Sequence, residues 1–404
     1  MSGEPVDTVR PAGSAREVLW VATKLGLTSF GGPIAHLGYF HDEYVRRRKW
    51  LDEQGYADLV ALCQFAPGPT SSKVGFSLGL LRAGYLGGLA AWVGFTLPSA
   101  VGLLLFAYGA GALGGPAGTG LLHGLKLVAV AIVAQAVWGM ARNLCPDRER
   151  ASIAGVAALI VLLSASAFSQ LGAILLGAVA GAWLCRQTGA IRAEQVPIKV
   201  SHGVGVAALV AFFTLLFGLP LLRAVSGSPA IAMVDAFYRS GALVFGGGHV
   251  VLPLLSEAVV APGWVSDSAF LAGYGAAQAV PGPLFTFAAY LGAVRGPAPN
   301  GVAGAALGLV SIFVPGLLLH LGTLPFWESF RQRAGTQAVM RGINAAVVGL
   351  LGAALYSPIW TSAVQRPRDF AVALVGFILL VGWKAPPVVV VLVSALAGVL
   401  FALV

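Results

Sequence analysis

Residues 86–113, 204–222 and 388–404 hold no charged side chain, and 121–141 holds only Lys126. A helix that crosses a bilayer needs about 20 mostly apolar residues, and it must satisfy its own backbone because lipid offers no hydrogen bonds. A soluble domain has nowhere to bury so many runs of this length. The expected fold class is therefore an all-α polytopic membrane protein. Composition agrees: 57% of the 404 residues are hydrophobic and 10% are charged, against about a quarter charged in soluble domains. The 54 glycines suit helices that approach closely in lipid.

Within this apolar background, Gln64-Phe65-Ala66-Pro67-Gly68-Pro69 returns 214 positions later as Gln278-Ala279-Val280-Pro281-Gly282-Pro283. Two prolines around a glycine break a helix, and a membrane tolerates the break only where protein or a water-filled cavity surrounds it. The correspondence extends along the chain. Lys24, Gly26, Phe30, Gly31 and Gly32 match Arg239, Gly241, Phe245, Gly246 and Gly247 at an offset of 215. Glu43 and Trp50 match Glu257 and Trp264 at 214, Pro98 matches Pro315 at 217, and Gly124 matches Gly342 at 218. Slow drift of this kind is what loop insertions in a duplicated unit produce.

Apolar runs and breakers divide residues 17–187 into six helical segments; 204–222 makes a seventh, and 231–404 repeats the six. The chain thus reads as an N-terminal tail (1–16), a first repeat (17–190), a linker with its own transmembrane helix (191–230) and a second repeat (231–404). Six segments plus one linker make an odd number, so the second unit enters from the opposite side. Inverted-topology repeats with broken helices at a central site are a recurring transporter architecture.

If every segment spans, 13 Lys and Arg fall on the side of the N-terminus and eight on the other. If the first two segments of each unit instead re-enter, turning at Gly31-Gly32 and Pro67-Gly68-Pro69, the cluster Arg46-Arg47-Arg48-Lys49 changes side and the count becomes 17 to four. Each arm would be about 12 residues, ~18 Å, enough to reach mid-bilayer. By the positive-inside rule the N-terminus is expected in the cytoplasm of a plasma-membrane protein. The first 16 residues hold no apolar core for a cleavable signal. The same rule accounts for the formal charge of +9 without a nucleic-acid partner.

Pro67, Gly68 and Pro69 are followed by Thr70-Ser71-Ser72-Lys73. A helix starting there presents unpaired amides, hydroxyls and an ammonium in one turn, a combination that favours a bound anion. The second copy, Pro281, Gly282 and Pro283 with Gln278 before and Thr286 after, puts Phe287 where Lys73 stands, so the site is expected to be asymmetric. Lys24 and Arg239 lie six residues before Phe30-Gly31-Gly32 and Phe245-Gly246-Gly247; cations inside apolar segments usually face a partner or a water path. Glu43 and Glu257 are candidates for proton coupling, with Lys126 and its counterpart Asn344 as weaker ones. The six histidines show no metal-ligand spacing and read as packing or loop residues, and the three cysteines support neither a disulfide framework nor a metal site. No cofactor is expected. Gly75-Phe76-Ser77-Leu78-Gly79 fits a hydrolase pattern, but that pattern needs a strand-to-helix elbow; an enzyme is not expected.

Phe30-Gly31-Gly32-Pro33, Gln64 to Pro69 and Phe95-Thr96-Leu97-Pro98, with their second-half counterparts Phe245-Gly246-Gly247-Gly248, Gln278 to Pro283 and Phe313-Val314-Pro315, resemble the chromate ion transporter family. The resemblance runs from about residue 17 to 404 and is to a long-chain, two-domain member. It implies export of chromate and chromate resistance, with a sulfate-like oxyanion or a passive anion channel as alternatives. The expected partners are the oxyanion and the lipid bilayer, and a homodimer is left open.

Overall fold

The computed structural model describes residues 13–30, 32–65, 67–110, 115–164, 169–185, 200–244, 250–326 and 334–403. Every regular element among them is helical. In the first unit, α1 (Ala15–Thr28) starts on a Ser14 cap whose hydroxyl accepts from the Glu17 amide. α2 (Gly32–Phe40) widens into π-helical turns over His41–Arg47. α3 (Glu53–Phe65) stops at the first Pro-Gly-Pro, and α4 (Thr70–Ala110) is broken by non-helical backbone at Ala83 and Gly84. α5 (Gly115–Leu144), α6 (Arg148–Leu163) and α7 (Ser169–Leu184) complete the unit. α8 (His202–Ser226) links it to α9 (Pro229–Ala242), α10 (Val251–Leu255, extended by Ser256–Val260), α11 (Asp267–Ala279), α12 (Phe287–Val294), α13 (Gly301–Thr323), α14 (Ala334–Ala354), α15 (Pro367–Val381) and α16 (Pro387–Leu403).

Ion pairs fix how the short helices turn. Glu17, in the first turn of α1, binds Arg48, just past the end of the α2 arm, at 3.5 Å, and Lys24 binds Glu43 across the two arms at 3.0 Å. The arms therefore run antiparallel and return to the level where they began. The next pair does the same: Arg82, at the end of the first part of α4, reaches Glu17 at 3.2 Å, and its carbonyl accepts from the Gly13 amide. At 13 to 16 residues, ~20–24 Å, these arms are shorter than the ~30 Å hydrocarbon core. Of the two topologies the sequence leaves open, the structure has the re-entrant one. The second unit closes its hairpins likewise, with Arg295 donating to the Pro229 carbonyl (3.2 Å) and the Gly296 amide to the Trp264 carbonyl. Each mouth carries an arginine over a tryptophan, Arg82 on Trp50 (5.2 Å) and Arg295 on Trp264 (4.3 Å).

The two mouths face opposite ways. The far end of α4 meets the mouth of the second unit, where a side chain at Gly301 would strike the Tyr108 hydroxyl. The far end of α13 meets the first mouth, where Leu321 and Leu324 pack with Leu80 and Val200. The units are inverted-topology repeats. Five helices among the described residues are long and apolar enough to cross a membrane, Thr70–Gly109, Gly115–Leu144, His202–Ser226, Gly301–Phe326 and Gly335–Ala363. Between them the remaining helices form returning pairs.

The last pair of each unit clasps the other unit. α15 and α16 grip α5, and α6 and α7 grip α14. The grip is backbone against backbone: a Cβ added at Gly124 would stand 2.2 Å from the Ser394 carbonyl, and one at its counterpart Gly342 2.0 Å from the Gly177 carbonyl. Small residues at such crossings are what tight packing in lipid requires.

Candidate functional site

The two Pro-Gly-Pro breaks are held by the opposite unit. The Gly68 amide donates to the Val244 carbonyl at 2.7 Å, and the Gly282 amide donates to the Ser29 carbonyl at 3.0 Å. Both acceptors stand one residue before a Phe-Gly-Gly break. Gly68 and Gly282 have φ of +104° and +106°, backbone that L side chains rarely adopt. Behind them lie Gly316 and Ser99, themselves counterparts at an offset of 217. The two Pro-Gly-Pro breaks thus meet, in one crossed arrangement at the interface of the repeats, the described residues Val244 and Ser29 that precede the Phe-Gly-Gly segments. Gly31, Phe245, Gly246 and Gly247 lie outside the described residues; Phe30 is half-buried beside them.

A small cavity of about 20 Å³ opens at this crossing, lined by Gly32 and Pro33 of the first unit and by Gln278, Val280, Gly282 and Leu284 of the second. That is room for about one water. Buried polar atoms without a hydrogen-bond partner occur on the segments that meet here: Ser29 Oγ, His36 Nε2, Ser72 Oγ, Thr96 Oγ1 and Gln278 Nε2. All can donate, and orphaned buried donors are costly unless something else occupies the space. The start of α4 adds amides: its first helical bond is Lys73 N to Pro69 O, so those of Thr70, Ser71 and Ser72 precede the ladder. The second copy offers less, because Thr286 gives its hydroxyl to the Pro283 carbonyl.

α4 presents two polar faces here. Ser71 points at His36, 3.3 Å from Oγ to Nδ1. Lys73, roughly 200° further round the helix, is fully buried and donates to the Pro67 carbonyl at 3.1 Å. One turn on, Ser77 Oγ lies 2.6 Å from His320 Nε2, with Cys63 Sγ 3.9 Å from the same nitrogen. His36 and His320, expected as packing or loop residues, stand within this polar core. Isolated imidazoles carry no spacing signal, so only their contacts reveal them.

The matched charges sit farther out. Burial pushes the Glu43 carboxyl up, but hydrogen bonds from Arg48 and Lys24 outweigh it and hold it below the ordinary carboxylate range; here, at the hairpin mouth, it ties the arms together. Arg239 binds the buried Asp235 at 2.7 Å, and Arg223 binds the same carboxylate at 3.3 Å. Glu257 is exposed, and Lys126 and Asn344 are half-buried on α5 and α14. None of these six is brought to the cavity. Removing one of the two cations on Asp235 should be felt as stability: Arg239→Ala is expected to cost about 1–2 kcal/mol, read as a lower melting temperature in detergent.

The family model described as Chromate transporter matches the chain twice, over residues 16–182 and 231–399. The chain belongs to the chromate transporter family. Each match contains one unit with both of its breaks, and α8 falls between them. Among related proteins, the chromate transport protein of Pseudomonas aeruginosa is 29% identical over 93% of this chain and 89% of its own length. The probable chromate transport protein of Synechococcus elongatus is 26% identical over 97% of both, and the chromate transport protein of Cupriavidus metallidurans 24% over 95% and 94%. No solved structure matches. The chain is thus a multi-pass membrane member of a chromate transporter family whose named relatives are transport proteins rather than enzymes.

Proposed function

We propose that this protein is a secondary carrier that exports chromate across the cytoplasmic membrane, with its N-terminus in the cytoplasm. The observation that carries the reading is the set of orphaned buried donors around the crossed breaks, where a tetrahedral dianion would find hydroxyls, amides and, at Lys73, a counter-charge. With both hairpins of each unit re-entrant, the Lys and Arg count favours the N-terminal side 17 to four, the positive-inside pattern. Moving two negative charges out of a cell that is negative inside releases about 4.6 kcal/mol per 100 mV, twice the ~2.3 kcal/mol per charge. The membrane potential alone is sufficient drive, and inward proton exchange would add to it. The repeats over 17–190 and 231–404, joined by 191–230, would rock about the shared site.

The family names of the relatives favour chromate over sulfate, although the donor set suits either. A cavity with room for about one water favours a carrier over an open channel. Purified protein in liposomes tests this: saturable chromate flux that rises with an imposed potential is expected. Flux that is absent or potential-independent would overturn export driven by charge. Flux without saturation would favour a channel, and full competition by sulfate at equal concentration a general oxyanion permease.

A further inference from the structure

A polar side chain pins each returning pair to the helix of the other unit that it clasps, and the two pins stand at matching positions. Arg341, on α14, donates to the Cys185 carbonyl just past α7 at 2.9 Å. Its counterpart, at the offset of 218 that also relates Gly124 to Gly342, is His123 on α5. His123 Nε2 lies 3.0 Å from Oδ1 of Asp369, in the first turn of α15. The Asp369 side chain is 3% exposed, and its other oxygen accepts from the Gln365 and Arg366 amides at 3.1 and 2.9 Å. His123 is 29% exposed, so protons reach it. α5 begins beyond the far end of α4, which puts this pin on the side of the second mouth, away from the N-terminus. α14 begins beyond the far end of α13, which puts Arg341 on the N-terminal side.

We propose that His123 and Asp369 form a proton-sensitive clasp, which tightens the hold of the second repeat on the first when the side of the second mouth is acidified, and so slows the movement of the repeats. A guanidinium keeps its charge, whereas imidazole changes charge between about pH 5 and 8. A neutral ring with its hydrogen on Nε2 already donates to the carboxylate. A second proton turns that contact into a bond between ions, roughly twice as strong, and one that is little screened because Asp369 is buried. The clasp therefore holds best below the ordinary imidazole range and loosens as pH rises through it. The carboxylate, whose ordinary value is about 4, stays ionised throughout. The other charges on elements packed against α5 are engaged or remote. Lys126 on α5 itself interacts with Asp267 at the start of α11, Arg368 lies over Phe401 at 5.2 Å, Arg366 is exposed, and Arg341 stands at the opposite end. α16 carries no charge, and Tyr274 and Tyr356 are phenols, neutral in this range. In the orientation proposed above, the titratable pin faces outside and the permanent one faces the cytoplasm. The brake on movement rests on the carrier reading; the clasp itself does not.

The test is hydrogen exchange on the full-length protein in nanodiscs at pH 5.5, 7 and 8.5, corrected for intrinsic exchange rates so that each segment yields an opening constant. Between pH 8.5 and 5.5 the first turn of α15 in the wild type is expected to open about fivefold less often, the surplus of a charged over a neutral hydrogen bond. The last turn of α7, held by Arg341, should stay constant. His123→Gln, which keeps a neutral donor at the same reach, should remove the change at α15. A wild-type α15 turn that opens equally at all three values would overturn the clasp, as would a His123→Gln protein with the wild-type slope or an equal change at α7. Chromate flux in liposomes tests the brake, with wild type and His123→Gln compared at each pH so that protonation of chromate itself cancels. Acidifying the compartment on the α15 side to pH 5.5 is expected to slow the wild type about fivefold relative to the variant; an unchanged ratio would overturn the brake. Flux absent from both proteins would overturn the carrier reading and the brake with it, while the exchange result still decides the clasp.

Discussion

Gly68→Ala is expected to abolish transport. The added methyl would stand 3.0 Å from the Cα of Gly316, an atom of rigid helix that has no rotamer with which to yield. The backbone at φ +104° is strained for any L residue besides. Relief would have to come from the hydrogen bond to Val244, which is what anchors the break. Gly282→Ala makes a useful contrast, because there the first obstacle is a side chain, Ser99 Oγ at 2.8 Å. Ser99→Gly, which copies the residue at 316, is expected to restore part of the flux lost in Gly282→Ala, whereas no single substitution should rescue Gly68→Ala. Liposome flux beside thermal stability in detergent separates lost transport from lost fold. Wild-type flux in Gly68→Ala would remove the break from the mechanism.

Lys73→Met should lower chromate flux about a hundredfold with little effect on folding. The thioether chain fills nearly the same volume, so no large cavity opens. The ammonium's hydrogen bond to Pro67 is lost along with the one full charge in the first turn of α4. Hydrogen bonds to charged groups are worth about 1.5–3 kcal/mol, a factor of roughly 10 to 150 in affinity. Lys73→Arg is not expected to restore function, since the planar fork is bulkier and has no room beside Ser77, His320 and Cys63. Undiminished chromate flux in Lys73→Met would exclude the ammonium from the site.

Much of this architecture was legible because lipid leaves a chain few choices. Apolar runs had to be helices, and the matched Pro-Gly-Pro segments had to be breaks at a protected place. Arm lengths and the position of Arg46 to Lys49 pointed towards re-entry without deciding it. The drift of the repeat offset from 214 to 217 has a physical origin: Ala83 and Gly84 turn the first unit, where the second uses the longer connection 295–300, and Gly84 and Gly301, 217 apart, both take positive φ. What was not legible is contact between distant positions. Ser71 meets His36 across 35 residues, and Ser77 meets His320 across 243; no local pattern announces either. The matched cations mislead in a related way. Lys24 and Arg239 keep their charge, but one answers Glu43 on the facing arm and the other Asp235 on its own helix.

The exchanged backbone bonds at the breaks also bear on leakage. Each glycine amide is seated on a carbonyl of the opposite repeat, so tilting one repeat drags the partner's break along with it. In the proposed carrier, two parts joined in this way would move together. Opening towards one compartment would displace the residues that have to part for the other, so the exchanged bonds would disfavour a leak with both ends unsealed.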